Sequence, residues 1–153
     1  MNLYIFSSLN LTNIWAGIGA RQWAISAQQA QKVGGAVQKS MHMGVGSLGL
    51  IYGSETQTFT TPFLVASKPN PDTTITNIWL EPWTLAFRVL PLGTPRKQLH
   101  KDDIKATLPS LRDSIRQWNH LLLVQPTTVF VPSEIQQSDW EALMIRLADD
   151  VSA

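Results

Sequence analysis

The stretch Asn77-Ile78-Trp79-Leu80-Glu81-Pro82-Trp83-Thr84-Leu85-Ala86-Phe87 sets two tryptophans on either side of a proline, outside any regular apolar repeat. Pro82 fixes its own φ and pushes Glu81 toward extended geometry, so the stretch predicts a stiff loop and not two turns of a helix. A stiff loop can hold two indoles as the walls of a slot. The same rings can equally fill a core, since tryptophan is highly buried on average. Both readings stand on the local sequence. Beyond the loop, the alternation of Leu85, Phe87 and Val89 predicts a strand over 85–92, with Leu90 counted among its buried positions.

Working outward, Leu3-Tyr4-Ile5-Phe6 is β-prone and predicts the first strand, with Ser7 to Asn13 as the loop after it. Residues 14–25 hold Trp15 and Trp23 around Gly17 and Gly19, and a helix loses roughly 1 kcal/mol at each glycine. An irregular or partly helical connection is expected there, with Trp15 in the core. Ser26 is a candidate cap for a helix from Ala27 to about Lys39, weakened by Gly34-Gly35. Leu48 to Tyr52 and Thr58 to Ser67 read as paired strands, Pro62 marking an edge or a bulge. Lys68-Pro69-Asn70-Pro71-Asp72-Thr73 reads as a surface turn. Gly93 to Lys101 is a basic loop, and a short capped helix runs from Lys101 to Leu108. Ser110 is expected to cap a helix Leu111 to His120 with Leu111, Ile115 and Trp118 on one face. Val129-Phe130-Val131 is a strand candidate. The last helix, Asp139 to about Ala148, carries Trp140, Leu143, Met144 and Leu147 as an apolar stripe. Trp118 and Trp140 are assigned to the core.

The chain has 153 residues, 44% of them hydrophobic, which suits one domain over residues 1–153 with a core that needs no staples. It has no cysteine, which excludes disulfides, thiolate metal sites and a cysteine nucleophile. Neither a signal peptide nor a membrane span is read, and a cytoplasmic protein is expected. Net charge is +1 with 15% charged residues, so a nucleic-acid role would rest on a local patch and on stacking.

No catalytic constellation emerges. His42, His100 and His120 lack zinc-ligand spacing, and neither a nucleophile elbow nor a phosphate loop is present. The Gly44-x-Gly46 run lacks the third glycine and the helix of a dinucleotide fingerprint. Asp102-Asp103 reads as the acidic first turn of a helix. No enzyme, cofactor or metal is expected.

Four pieces recur in a telling order. Tyr4-Ile5-Phe6 precedes Ser8-Leu9-Asn10-Leu11-Thr12-Asn13-Ile14; Trp23 follows Asn13; Leu48-Gly49-Leu50-Ile51-Tyr52-Gly53-Ser54 precedes Phe59; and Ile78-Trp79-Leu80-Glu81-Pro82-Trp83 precedes Phe87. Across roughly residues 3–101 the chain thereby resembles the YTH and EVE domains of the PUA-like superfamily. The Trp79 to Trp83 interval is one residue shorter than in the best-known YTH readers, and Ser7 stands where a lysine often does. The resemblance implies an α+β fold, a small curved β-barrel with flanking short helices. It implies a tryptophan cage of Trp23, Trp79 and Trp83 around a flipped methylated base, N6-methyladenine by preference. Asn13, Asn10 and Ala24 would then meet the base edge. Arg21, Lys39, His42, Arg96, Lys97, His100 and Lys101 would meet the nucleic-acid backbone. The implied partner is methylated DNA or RNA, with DNA favoured. The implied setting is the targeting domain of a modification-dependent restriction system of the McrBC kind, with a fused or associated AAA+ GTPase or nuclease and no membrane. The competing reading keeps the Trp79–Trp83 loop as a docking surface for a protein or peptide.

Overall fold

The computed structural model describes residues 1–149 of the chain. Leu3, Tyr4, Ile5 and Phe6 are all buried, so the first strand, β1 (Asn2–Ser8), is covered on both faces, as an unbroken apolar run in a sheet interior requires. It pairs in parallel with β3 (Leu48–Gly53) and antiparallel with the two-residue β8 (Ser133–Glu134). β3 returns into β4 (Thr58–Val65), where Gly49 faces Phe63 but Ile51 faces Thr60. One extra residue therefore sits on β4 at Thr61-Pro62, the bulge foreshadowed by Pro62, and Thr61 takes a φ of 51° there. β2 (Gln22–Ser26) and β6 (Trp83–Pro91) extend the ladder to the order β2-β6-β4-β3-β1-β8; β5 (Asn70–Ile75) pairs with β6 and β7 (Gln98–His100) with β4. The end strands β2 and β8 do not pair with each other. The architecture is α+β on one eight-stranded sheet, and its pairing does not show the small curved β-barrel that the resemblance implied.

Two apolar clusters lie on the two sides of this sheet. One gathers Phe6, Ile51, Phe63, Phe87 and Phe130 with Ile14 and Ile18 of α1 (Leu11–Gly19) and the rings of Trp23, Trp79 and Trp83. The other gathers Leu3, Ile5, Leu50 and Phe59 with residues of α4 (Lys101–Thr107), α5 (Pro109–Arg112), α6 (Trp118–Leu121) and α7 (Gln137–Leu147). α2 (Ala27–Lys32) and α3 (Ala36–Met41) cover the first side.

Several expectations are corrected. The 14–25 segment is partly helical, as one of the two expectations had it, but its second half is the strand β2; α1 runs through Gly17, because a Cβ there would lie 2.8 Å from Trp23 Cε3, and a close helix–ring contact outweighs helix propensity. The helix expected over 27–39 is split into α2 and α3, with Gly35 at φ 73° between them. The turn expected at 68–73 is entered by β5, whose exposed edge tolerates Pro71. The helix expected over 111–120 is two short pieces, and Ile115 is exposed. Ser110 caps nothing of that kind; its hydroxyl donates to buried Asp139 Oδ2 at 2.6 Å, and its N–H to Oδ1 at 2.9 Å. Val129 and Phe130 are buried but follow a 3₁₀ turn, Pro126–Thr128, instead of forming a strand. Leu90 is exposed, as strict alternation from Val89 dictates. Trp15 is 48% exposed and is not core, while Trp118 and Trp140 are half-buried against the second cluster.

Candidate nucleic-acid interface

Three elements bring the cage tryptophans together. Trp23 comes from β2, Trp83 from the first position of β6, and Trp79 from the loop between β5 and β6, in which it is the one buried residue. Trp79 and Trp83 stack at a centroid distance of 4.1 Å and an angle of 9°. Trp23 stands edge-on to both, at 5.9 and 5.5 Å and nearly perpendicular. Exposures are 1%, 4% and 5% for Trp23, Trp79 and Trp83. The rings are buried and fill one another's space, as the core reading expects. A base between two rings needs about 7 Å, twice the ordinary carbon–carbon contact, so the stacked pair is closed to it.

Polar contacts hold this geometry. Trp79 Nε1–H donates to the Asn13 carbonyl at 3.0 Å, and Trp83 Nε1–H to Glu81 Oε1 at 3.0 Å. Ala27 N–H donates to the Pro82 carbonyl at 2.9 Å, pinning the loop's proline to the start of α2. Glu81 was not singled out in the sequence; its place between the two tryptophans, behind Pro82, is the signal that could have found it. The β2–β6 register pairs Trp23 with Phe87 and Ile25 with Thr84, leaving one extra residue on β6 where Leu85 takes a φ of 58°. Such a bulge re-aims the side chains beside it. Ala24, opposite the bulge, has no register partner.

A cleft of about 540 Å³ opens beside Trp79, lined by Asn10, Asn13 and Ala16 of the α1 region and by Asn77, Ile78 and Leu80 of the loop. Asn10 Oδ1 accepts from Asn13 N–H at 2.9 Å, which makes Asn10 the cap of α1 and leaves the amides of Asn13 and Asn77 at the cleft. Leu80 at 103% is wholly exposed at the rim.

The cations assigned to the backbone do not gather at this cleft, which no charged side chain lines. Arg96 and Lys97 instead tie down the end of α7: Arg96 Nη2 is 3.5 Å and Lys97 Nζ 3.9 Å from Asp149 Oδ1, and Lys97 donates to the Ala148 carbonyl. The length of β6, roughly 25 Å at the usual strand rise, separates them from Trp83. His100 caps α4 through Nδ1, which accepts from Asp102 N–H at 3.1 Å. Arg21 and His42 are exposed and Lys39 half-exposed, none of them lining the cleft; Lys101 lines a neighbouring one. Among the described residues no cluster of histidines and carboxylates is placed to hold a metal ion. No helix among them is long and apolar enough to cross a membrane.

No protein-family model matches the chain, and no curated protein matches it in sequence. Solved structures do match. The chain is similar to the Toxoplasma CPSF4-YTH domain in apo form, with a TM-score of 0.58 at 19% identity over 98% of this chain and 90% of that one. The Pho92 YTH domain in complex with m6A gives 0.58 at 13% identity over 98% and 85%. The Mmi1 YTH domain in complex with RNA gives 0.55 at 13% identity over 97% and 84%. At these identities the likeness carries the fold alone: the chain has the fold of the YTH domains.

Proposed function

We propose that the chain is a non-enzymatic module, one domain over its length, that binds single-stranded nucleic acid through a methylated base flipped between Trp79 and Trp83, with Trp23 as the third wall. The observation that carries this reading is the convergence of the three indoles, of which Trp79 lines the cleft beside the Asn10–Asn13 turn. It is supported by the YTH fold and by the m6A and RNA held by two of the neighbours with that fold.

Entry of a base breaks the Trp79–Trp83 stack and the Trp79–Asn13 hydrogen bond. Those terms are worth roughly 1 kcal/mol each. Stacking the base on indole faces returns roughly 1–3 kcal/mol per face. The balance is close, so one buried methyl, at about 0.8 kcal/mol, shifts it usefully. The Asn13 carbonyl freed by Trp79 then accepts from the single N–H that N6-methyladenine keeps, and the Asn13 amide meets the ring edge. Ala24, opposite the β6 bulge, is the other candidate contact for the exocyclic nitrogen.

A panel of matched strands, methylated and unmethylated at one adenine, as RNA and as DNA and at one salt concentration, tests the reading. Tighter binding of the methylated strand supports it; equal affinity removes it. The same panel decides between RNA, which the neighbours hold, and the DNA expected of a restriction targeting domain with its AAA+ GTPase or nuclease. The second reading, a protein-docking loop, is favoured by wholly exposed Leu80 above a closed ring stack. Leu80→Ser would leave strand binding unchanged on that reading.

A further inference from the structure

The C-terminal ends of the parallel strands β1 and β3 open into a second cleft, of about 590 Å³, lined by Ser7, Ser8, Tyr52, Ser54, Lys101 and Trp118 among others. Leu9 lines this cleft and Asn10, its neighbour in sequence, lines the one beside Trp79, so only that turn separates them. Trp118 also lines a hollow with Lys101 and Lys105, and another with Lys105 and Arg116. Its indole is thus bordered by open space on several sides. Neither Lys101 nor Lys105 has an ion-pair partner among the described residues. The one acid beside them, Asp102, lies 3.5 Å from His100 Nδ1. Tyr52 lines the cleft, and its hydroxyl, open to solvent, makes no hydrogen bond among the described residues. An accessible phenol has a donor to offer a ligand.

We propose that this cleft takes a nucleotide from the same strand, a few positions from the methylated base: its base stacks on Trp118, its phosphates meet Lys101 and Lys105, and its sugar or base edge meets the Tyr52 hydroxyl. An aromatic face interleaved with free lysines suits single-stranded nucleic acid, since every base has a π-face and every linkage a charge. The inference rests on the reading above, and it extends the footprint around the turn at Leu9-Asn10.

The test measures fluorescence anisotropy of labelled strands, about four and about twelve nucleotides long, each carrying one N6-methyladenine and titrated with the full chain. The longer strand is expected to bind about tenfold more tightly, one stacked base being worth that much. Trp118→Ala should remove the gain from length and leave the short strand's affinity unchanged, while Trp118→Phe keeps most of the gain. Because Trp118 packs on the second cluster, the pair Lys101→Gln, Lys105→Gln, which lies outside that cluster, is the second variant; it should cut the gain and lower the salt slope by about two. Equal affinity of the two lengths, or a gain that survives the lysine pair, overturns the inference. So does displacement of the long strand by a polyglutamate peptide of matched charge without any length effect, which assigns the cleft to an acidic protein segment. Failure of the methyl-base reading looks different: methylated and unmethylated strands then bind alike, whatever their length.

Discussion

Trp79 Nε1–H is bound to the carbonyl of Asn13, 66 residues earlier in the chain, at 3.0 Å. That single bond joins the tryptophan loop to the Asn10–Asn13 turn, and on the proposed function it has to break before a base can enter. Trp79→Phe keeps an aromatic face and deletes the donor. Losing about 1 kcal/mol from the closed form should speed strand association about fivefold in stopped-flow fluorescence. An unchanged association rate would show that this bond does not govern entry.

The burial of the rings changes which substitutions are informative. Trp23→Ala and Trp83→Ala cannot report on binding alone. At 1% and 5% exposure, either truncation should lower stability by about 3–5 kcal/mol in denaturant titrations. Trp83→Phe is the usable variant, expected to weaken binding of the methylated strand by about 1 kcal/mol while the chain stays folded. Full affinity after this change would mean the ring is packing alone.

Gly17→Ala separates helix propensity from ring packing by its sign. In an ordinary helix the change stabilises by roughly 1 kcal/mol. Here the new Cβ meets Trp23 Cε3 at 2.8 Å and the Gln22 carbonyl at 2.9 Å. A destabilisation of about 1–3 kcal/mol is expected, with weaker strand binding as Trp23 is displaced. A raised melting temperature would contradict this packing.

Asp139 is fully buried and accepts from Ser110 N–H, Ser110 Oγ–H and Gln136 N–H. Asp139→Ala leaves those three donors without a partner and should cost about 3 kcal/mol in thermal or urea unfolding. Asp139→Asn, which keeps an acceptor, should cost less. Base binding should respond to neither while the chain is folded, because this network lies on the other side of the sheet from the tryptophans.

With Arg96 and Lys97 committed to Asp149, fewer cations are available to phosphates than the sequence suggested. For a short methylated strand the log affinity should fall with log salt by a slope of about one or less. A slope near four would restore the basic loop to the interface.

Much of the sheet was legible because strands announce themselves locally: the unbroken Leu3–Phe6 run, the alternation from Leu85, and Pro62 at its bulge. The three tryptophans were legible as a set only through order and spacing, since no periodicity links β2, a loop and β6. What the sequence hid was long-range. Gly17 reads as a helix breaker until Trp23 is seen against it, and Ser110 reads as a cap until Asp139 is found beside it. Asp149 likewise has no local mark as the partner of Arg96 and Lys97. The last two are contacts across a large sequence separation, and the first crosses from a helix to the next strand, so a window over one element has nothing to say of any of them.

The ends of the sheet carry one more consequence. β2 is five residues long and bulged against β6, β5 is broken by Pro71 and a register shift, and β8 has two residues. A second chain adding itself by backbone hydrogen bonds would need a long uninterrupted row of free N–H and C=O groups, and neither β5 nor β8 offers one, while β2 offers only five residues. Strand addition is therefore hindered at β5 by its proline and at β8 and β2 by their length.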